Sequence, residues 1–174
     1  MSSADRLILR PFTVADESDA MTAQEELKAD GFEFLLDVTE GQTWAEFVVR
    51  LDEISRGINV AADRVPADLL AAEVDGELVG RVSIRHHIDH PFLAEYGGHI
   101  GYATRPAHRR RGYATAMLRL SLERARGYGV DQALLTCDDD NAGSAATIEQ
   151  CGGVFERLVS LNDVPRRRYW VPTS

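Results

Sequence analysis

The sequence predicts an α/β protein in which a mixed β-sheet carries helices on both faces. Three patterns predict it: two strands joined by a tight turn near mid-chain, a strand–helix–strand unit after them, and two short strands at the end. Strands that alternate with helical patterns indicate a layered α/β fold. The 174 residues, 44% of them hydrophobic, suffice for one domain with a sizeable core. We therefore expect residues 1–174 to form a single domain.

The first part of the chain predicts one strand and two helices. Residues 7–11 form a short apolar run typical of a strand. Each helix is predicted to begin at a threonine that is followed three residues later by an acidic side chain, because such a pair can cap the first turn. These pairs are Thr13 with Asp16 and Thr43 with Glu46. The first helix should end before Gly31 and the second near residue 56, where Gly57 follows.

The middle of the chain predicts a β-hairpin. Residues 69–74 and 78–86 have the composition of strands, and Asp75-Gly76 lies between them. Asp-Gly supplies the positive φ angles that a tight hairpin turn requires. Residues 87–93 contain a proline and indicate a loop or a strand end.

The last part of the chain predicts a strand at residues 99–104, a helix at residues 114–128 and a short buried strand at residues 133–137. The helix has an apolar or small stripe at helical spacing. This unit should form a right-handed parallel crossover. A helix at residues 142–150, stopped by Gly152-Gly153, precedes the final strands. These final strands, at residues 155–161 and 167–171, should be antiparallel.

The composition excludes several classes of protein. The formal net charge is −9, which argues against general nucleic-acid binding. No run of about 18 apolar residues indicates a membrane span, and the start of the chain has no signal-peptide pattern, so we expect a cytoplasmic protein without a membrane partner. Cys137 and Cys151 are expected to be reduced, partly buried thiols.

Positive charge is nevertheless concentrated in one stretch, Arg109-Arg110-Arg111-Gly112-Tyr113-Ala114, which we call the phosphate loop. It joins a predicted strand to a predicted helix. The first amides of a helix have no partner within it, and the helix dipole favours negative charge there. Gly112 allows a ligand to approach the backbone closely. A second cluster at residues 166–168 is expected to be a solvated basic face.

The phosphate loop reads as R-x-x-G-x-A, and it resembles the Q/R-x-x-G-x-G/A motif of the GNAT N-acetyltransferase superfamily. Residues 98–106 before it and residues 140–144 after the next strand resemble the same family. The resemblance is strong from about residue 70 to residue 155. It implies a central mixed, mostly antiparallel sheet of six to seven strands, with helices on both faces and a splay between strands 4 and 5. It also implies acetyl transfer from acetyl-CoA to an amine, in a ternary complex and without a metal.

The resemblance further implies which residues contact coenzyme A. A strand backbone would pair with the pantetheine arm, amides of the phosphate loop would hold the pyrophosphate, and an asparagine and a serine after the next strand would contact the pantetheine or the phosphate end. In this chain these residues are Tyr102, Ala103, Thr104, Arg109, Arg110, Arg111, Gly112, Tyr113, Ala114, Thr115, Asn141 and Ser144. Asn141 can equally serve as a plain helix N-cap, and both roles can hold together. Gly101 could mark a bulge that opens the splay.

The chain departs from the family at the usual general acid. Many relatives have a tyrosine seven residues after the asparagine, where this chain has Ile148. Tyr102, Cys151 or a water would then protonate the leaving thiolate, unless the thiolate leaves unaided.

The sequence also does not determine the identity of the general base. His99 is the first candidate because the unperturbed pKa of histidine suits proton abstraction from an amine. A packed, hydrogen-bonded structural role for His99 is an equally good interpretation. Glu95 and Glu73 are weaker candidates.

The expected acceptor is a small-molecule or peptide amine, whose identity the sequence does not specify. His86, His87 and His90 could line its site, and a metal role for them is disfavoured because no second half of a metal site is present. The acidic residues between positions 25 and 40 would favour a cationic amine if they line the acceptor pocket, although a solvated acidic helix face is the commoner explanation for such residues. A homodimer is expected from family habit. The remaining function classes are a coenzyme A-binding module without transferase activity and a polyanion binder.

Overall fold

The computed structural model describes residues 2–174, which contain seven strands and four α-helices. In chain order these are β1 (Ile8–Pro11), α1 (Glu17–Lys28), α2 (Trp44–Ser55), β2 (Ala67–Val74), β3 (Glu77–Arg85), β4 (Ile100–Thr104), α3 (Tyr113–Gly127), β5 (Gln132–Asp138), α4 (Ala142–Gln150), β6 (Val154–Leu161) and β7 (Val164–Pro172). None of the helices in this part of the chain has the length and apolarity needed to span a membrane.

The strands form two antiparallel sheets that part between β4 and β5. The first sheet has the order β1-β2-β3-β4 and the second the order β5-β7-β6. The backbone of His99, just before β4, donates a hydrogen bond of 2.7 Å to the carbonyl of Leu134 in β5. No ladder continues from this contact among residues 2–174. The predicted strand number and the splay between strands 4 and 5 are thereby confirmed, while the strand pairs of both sheets are antiparallel. The handedness of the crossover stays a prediction.

Two hydrophobic cores lie on opposite faces of the first sheet. Side chains of β2 alternate between them, because successive strand residues point to opposite faces. Leu70 and Ala72 pack with α3 and α4, whereas Leu69 and Ala71 pack with α1 and α2. Helices therefore cover both faces, as predicted.

The local signals that predicted these elements are visible in the structure. Thr43 and Glu46 form the reciprocal capping box at the start of α2. Asp75 and Gly76 both have positive φ, 52° and 85°, in the β2–β3 turn. The capping pair that begins with Thr13 is also present, but it opens a 3₁₀ turn, Val14–Asp16, before α1 begins.

The segment before β4 differs from its prediction. A π-helical turn at Leu93–Gly97 follows the predicted loop. Gly101 pairs with Ser83 in a regular register, so the expected bulge at Gly101 is wrong. Gly98 instead marks the junction of the two sheets: it has φ of 67°, and a Cβ there would lie 2.4 Å from the carbonyl oxygen of Leu134. Only glycine allows this close approach, from which β4 and β5 diverge.

Candidate active site

The gap between β4 and β5 presents backbone groups of β4 that have no strand partner. His99 and Arg105, which flank β4, bond to the backbone of β3. Because partners alternate along an antiparallel strand, the backbone N–H and C=O groups of Tyr102 and Thr104 face the gap. Those of Ala103 face β3 instead. Of the three residues that were expected to pair with pantetheine, two therefore have backbone groups that face the gap.

The phosphate loop lies at one end of this gap, at the start of α3. Gly112 is the N-cap of α3, with φ of 79° and no side-chain cap. The first helical bond runs from Ala116 to the carbonyl of Gly112. The amides of Tyr113, Ala114 and Thr115 consequently have no hydrogen-bond partner among residues 2–174. Negative charge is favoured at this point.

The arginines of the phosphate loop are exposed. Arg109 forms an ion pair with Asp30 at 2.5 Å, whereas Arg110 and Arg111 have no ion pair within the described residues. Arg110 has φ of 61°, so the loop turns sharply just before Gly112. The two unpaired guanidinium groups add positive charge to the end of the gap.

The start of α4 forms the facing wall. Asn141 is its N-cap, and Asn141 Oδ1 accepts a hydrogen bond of 3.0 Å from the amide of Ser144. Ser144 Oγ lies 3.0 Å from the hydroxyl of Tyr102, which reaches across from β4. The side chain of Thr115 contacts Gln150 of α4 at 3.4 Å. Side-chain contacts thus join Tyr102 of β4 to the start of α4 and Thr115 of α3 to its end.

The hydroxyl of Tyr102 is a proton donor at neutral pH. Burial raises the pKa of Tyr102 to about 12, against the opposing effect of its hydrogen bond with Ser144. Burial also raises the pKa of Cys151 and of Cys137, so both thiols are protonated at neutral pH.

Ile148, at the position where relatives have tyrosine, belongs to the core. It is 1% exposed, and a Cβ on Gly153 would lie 2.5 Å from Ile148 Cγ2. In this chain the core side of α4 is therefore filled by Ile148, and the phenolic hydroxyl that contacts Ser144 at the start of α4 belongs to Tyr102.

His99 is 6% exposed at the junction of the two sheets. Its Nδ1 accepts a hydrogen bond of 2.9 Å from the amide of Leu134. This bond places the proton of the neutral ring on Nε2 and occupies the basic nitrogen. Burial, with a smaller contribution from Arg85, lowers the pKa of His99 to about 4. This geometry favours the structural role of His99 over that of a base.

The weaker base candidates are held by arginines. Glu73 accepts a hydrogen bond from Arg10. Glu95 pairs with Arg157 at 2.8 Å, and this bond lowers the pKa of Glu95. A carboxylate held in its charged form is a weak base, so Glu95 is not prepared to take a proton from an amine. The carboxylate of Glu73 is occupied by Arg10.

A cavity of about 590 Å³ lies on the α1/α2 side of the first sheet. His90 lines it, whereas His86 Nε2 contacts Asp68 Oδ1 at 3.0 Å and His87 lies beside Asp89. The structure therefore brings one of the three histidines to a cavity. Within residues 2–174, no group of three or more potential ligand side chains is arranged to hold a metal ion.

The acidic segment before α2 does not form an open acidic lining. Glu26 and Asp30 bind Arg105 and Arg109, at 2.8 and 2.5 Å. Asp37 lines the cavity but pairs with an arginine. The interpretation of this segment as an acidic site for a cationic amine is therefore not supported by these pairings.

The second arginine cluster is also paired. Arg166 and Arg167 bind Asp138 and Asp139, both at 2.6 Å. Arg168 is buried and bonded to backbone carbonyls and to a glutamate. The expectation of a solvated basic face is wrong, because these side chains join β7 to β5 and β6.

A split sheet with an uncapped helix N-terminus at the splay is the architecture of an acyl-CoA-dependent acyltransferase, and the sequence places the chain in a particular family. Residues 6–154 match the model of the acetyltransferase (GNAT) domain. The chain belongs to this family.

Solved structures share the fold. RimJ from Mycobacterium smegmatis, in complex with CoA-disulfide, has a TM-score of 0.65 at 20% identity and covers 95% of this chain and 81% of its own. The microcin C7 self immunity acetyltransferase MccE, in complex with acetyl-CoA and AMP, has a TM-score of 0.68 at 18% identity, and the match covers 97% of this chain and 93% of MccE. The structure of yncA from Salmonella typhimurium, with its cofactor acetyl-CoA, has a TM-score of 0.63 at 14% identity, and the match covers 97% of this chain and 95% of yncA. No curated protein matches the chain in sequence.

Proposed function

We propose that the protein transfers an acetyl group from acetyl-CoA to an amine by direct attack in a ternary complex. The observation that carries this proposal is the gap between β4 and β5, which ends at the free amides of α3. Membership of the GNAT family supports the reaction class. The coenzyme A and acetyl-CoA complexes of RimJ and yncA support the co-substrate.

Coenzyme A would lie along the gap. Its pyrophosphate would accept hydrogen bonds from the amides of Tyr113, Ala114 and Thr115, beside the guanidinium groups of Arg110 and Arg111. Its pantetheine arm would pair with the gap-facing backbone of β4 as an added strand does. The α4 N-cap would face the arm from the other side.

Tyr102 is the general acid of this proposal. The amine nitrogen forms a bond to the thioester carbon, and collapse of the tetrahedral intermediate breaks the C–S bond. The electron pair leaves on sulfur, and the hydroxyl of Tyr102, oriented by Ser144, donates the proton. The excess proton of the former amine nitrogen then leaves through water and restores the hydroxyl of Tyr102. A phenol with a pKa of about 12 is fully protonated at the start of the reaction.

For the base, we propose that the ammonium proton of the acceptor leaves through water, and that His99 maintains the junction of β4 and β5. The engaged Nδ1 and the lowered pKa of His99 support this division of roles. The alternative, in which His99 takes the proton directly, predicts a different response to substitution and is tested below.

We further propose that residues 1–174 form one acetyltransferase domain. The family match ends at residue 154, but β7 lies between β5 and β6 in the second sheet. The last residues are therefore central to that sheet. A cytoplasmic location, a homodimer and the absence of a nucleic-acid partner stay predictions.

Turnover separates the enzyme from a coenzyme A-binding module. The purified protein should release free thiol from acetyl-CoA in the presence of a panel of primary amines, in amounts equal to acetylated product by mass spectrometry. Micromolar binding of acetyl-CoA with no thiol release from any amine would support the binding module and contradict the enzyme.

A further inference from the structure

The cavity on the α1/α2 side of the first sheet adjoins the strand that borders the gap. Its floor includes Ser83 and Arg85 of β3. Ser83 pairs with Gly101 of β4, which has no side chain on this face. At about 590 Å³ the cavity has the size of a site for a small molecule. A molecule bound there would lie beside β4 on the face opposite α3.

Arg85 is a cation without a carboxylate partner in this cavity. Its Nη1 donates to the carbonyls of Gly97 and Gly98, at 3.2 and 3.1 Å. Its Nε and Nη2 have no hydrogen-bond partner among residues 2–174. Burial, and then the charge of Arg64, lower the pKa of Arg85. The charge of Asp37, which pairs with Arg64, opposes this lowering. A largely buried guanidinium without a carboxylate partner of its own favours a bound anion.

Three of the other four charged side chains that line the cavity, Asp37, Arg50 and Arg64, are held by ion pairs, whereas Asp63 is an exposed carboxylate with no ion pair among residues 2–174. Arg64 binds Asp37 at 2.6 Å. Arg50 is held by Glu53 at 3.1 Å and by backbone carbonyls. Arg85 is therefore the cation in the lining that has no carboxylate partner among residues 2–174. The remaining walls are largely apolar and would enclose the body of such a ligand: Leu36, Val38, Ile54, Val60, Phe92 and Leu93.

We propose that the acceptor is a small amine that also carries an oxyanion, a carboxylate or a phosphate, and that Arg85 binds this oxyanion through Nε and Nη2. The two free donors form a fork that matches two oxygens of one anionic group. The amine end then extends past Ser83 towards β4 and the thioester. This inference rests on the proposed acetyl transfer, and it disfavours polycationic acceptors.

Matched acceptors test the substrate class. Each pair differs only in the anion: leucine with 3-methylbutylamine, and phosphoethanolamine with ethanolamine, with spermidine as a polycation. Thiol release should give a kcat/KM at least about 10-fold higher for the anionic member of one pair, and that pair identifies carboxylate or phosphate. Equal or faster turnover of both amines that lack the anion, or of spermidine, overturns the inference and leaves acetyl transfer intact. No thiol release from any of these five amines, with release from another amine of the panel, would overturn the inference and leave acetyl transfer intact, whereas no release from the whole panel would overturn both.

Variants of Arg85 test the recognising group. Arg85→Met should raise KM for the preferred anionic acceptor about 10- to 100-fold, because it removes charge-assisted hydrogen bonds. The KM of the matched amine that lacks the anion and the affinity for acetyl-CoA should not change, and Arg85→Lys should recover part of the loss. Arg56→Met is the control, since Arg56 is exposed and pairs with Asp52 outside the cavity.

The outcomes of this substitution are distinct. An equal rise in KM for the acceptors with and without the anion, or a loss of acetyl-CoA affinity, would show a structural role for Arg85 and overturn the proposal. If Arg85→Met does not fold, Arg64→Gln replaces it, because Arg64 is largely exposed. That variant should raise KM for the anionic acceptor alone, about 2- to 5-fold. An unchanged KM in that variant would overturn the proposal as well.

Discussion

Replacement of His99 by glutamine separates a structural histidine from a catalytic base. His99 is 6% exposed, and its Nδ1 accepts the amide of Leu134 at 2.9 Å. Glutamine removes the titration but keeps a side-chain oxygen that can accept the same hydrogen bond. The variant therefore isolates the effect of protonating the imidazole.

The magnitude follows from the pKa of His99, which is about 4 in the folded protein against 6.5 for a free histidine. This difference corresponds to about 3 kcal/mol of stability at neutral pH. Because the folded-state pKa is the lower one, the unfolded chain binds the proton first as the pH falls. The stabilisation is present above pH 6.5 and is lost as the pH falls towards 4.

The assay is urea unfolding of both proteins at several pH values between 4 and 7, with acetyl transfer measured at neutral pH. Between pH 6.5 and 4 the parent protein should lose about 3 kcal/mol more stability than His99→Gln. The variant should keep its rate within a few-fold of the parent. Parallel pH dependences of stability, together with a 10²- to 10⁴-fold fall in rate, would refute the structural role and identify His99 as the base.

Three other substitutions test separate parts of the structure. Tyr102→Phe should lower kcat by about 10²-fold with little change in acetyl-CoA affinity; an unchanged kcat in steady-state assays would remove Tyr102 as the acid. Asp68 is 1% exposed and accepts four side-chain hydrogen bonds. Asp68→Ala should therefore lower the free energy of unfolding in urea by about 3–5 kcal/mol. A decrease of less than about 1 kcal/mol would contradict the buried network. Gly153→Ala should lower the free energy of unfolding by about 1–3 kcal/mol, because the added Cβ would lie 2.5 Å from Ile148 Cγ2. Gly127→Ala is the control for that change: its Cβ meets open space, and it should stabilise α3 by up to about 1 kcal/mol.

Features encoded by neighbouring residues could be predicted from the sequence. The Thr43–Glu46 capping box and the Asp75-Gly76 turn depend on side chains and φ angles within four residues, and both occur as predicted. The phosphate loop likewise combines a glycine with the start of the next helix. Such signals require no knowledge of the tertiary contacts.

Features that depend on distant contacts could not be predicted. The partner of Arg109 is Asp30, 79 positions away, so the pairing of the acidic segment with the phosphate-loop side of the protein had no local signal. The burial of His99 depends on Leu134. The positive φ of Gly98 is required by the same contact, and a glycine alone did not reveal it. These contacts determine which candidate residues are free to take part in chemistry.

The proposed function depends on coenzyme A binding in the splay beside the phosphate loop, and acetyl-CoA titration of two glycine variants tests this placement most directly. Gly112 and Gly129 precede and follow α3, with φ of 79° and 84°. Asparagine tolerates this backbone conformation at both positions, so strain is matched. Isothermal titration calorimetry should show acetyl-CoA affinity at least about 10-fold weaker for Gly112→Asn and unchanged for Gly129→Asn. Parent-like affinity in a folded Gly112→Asn protein would contradict the placement of coenzyme A at the start of α3.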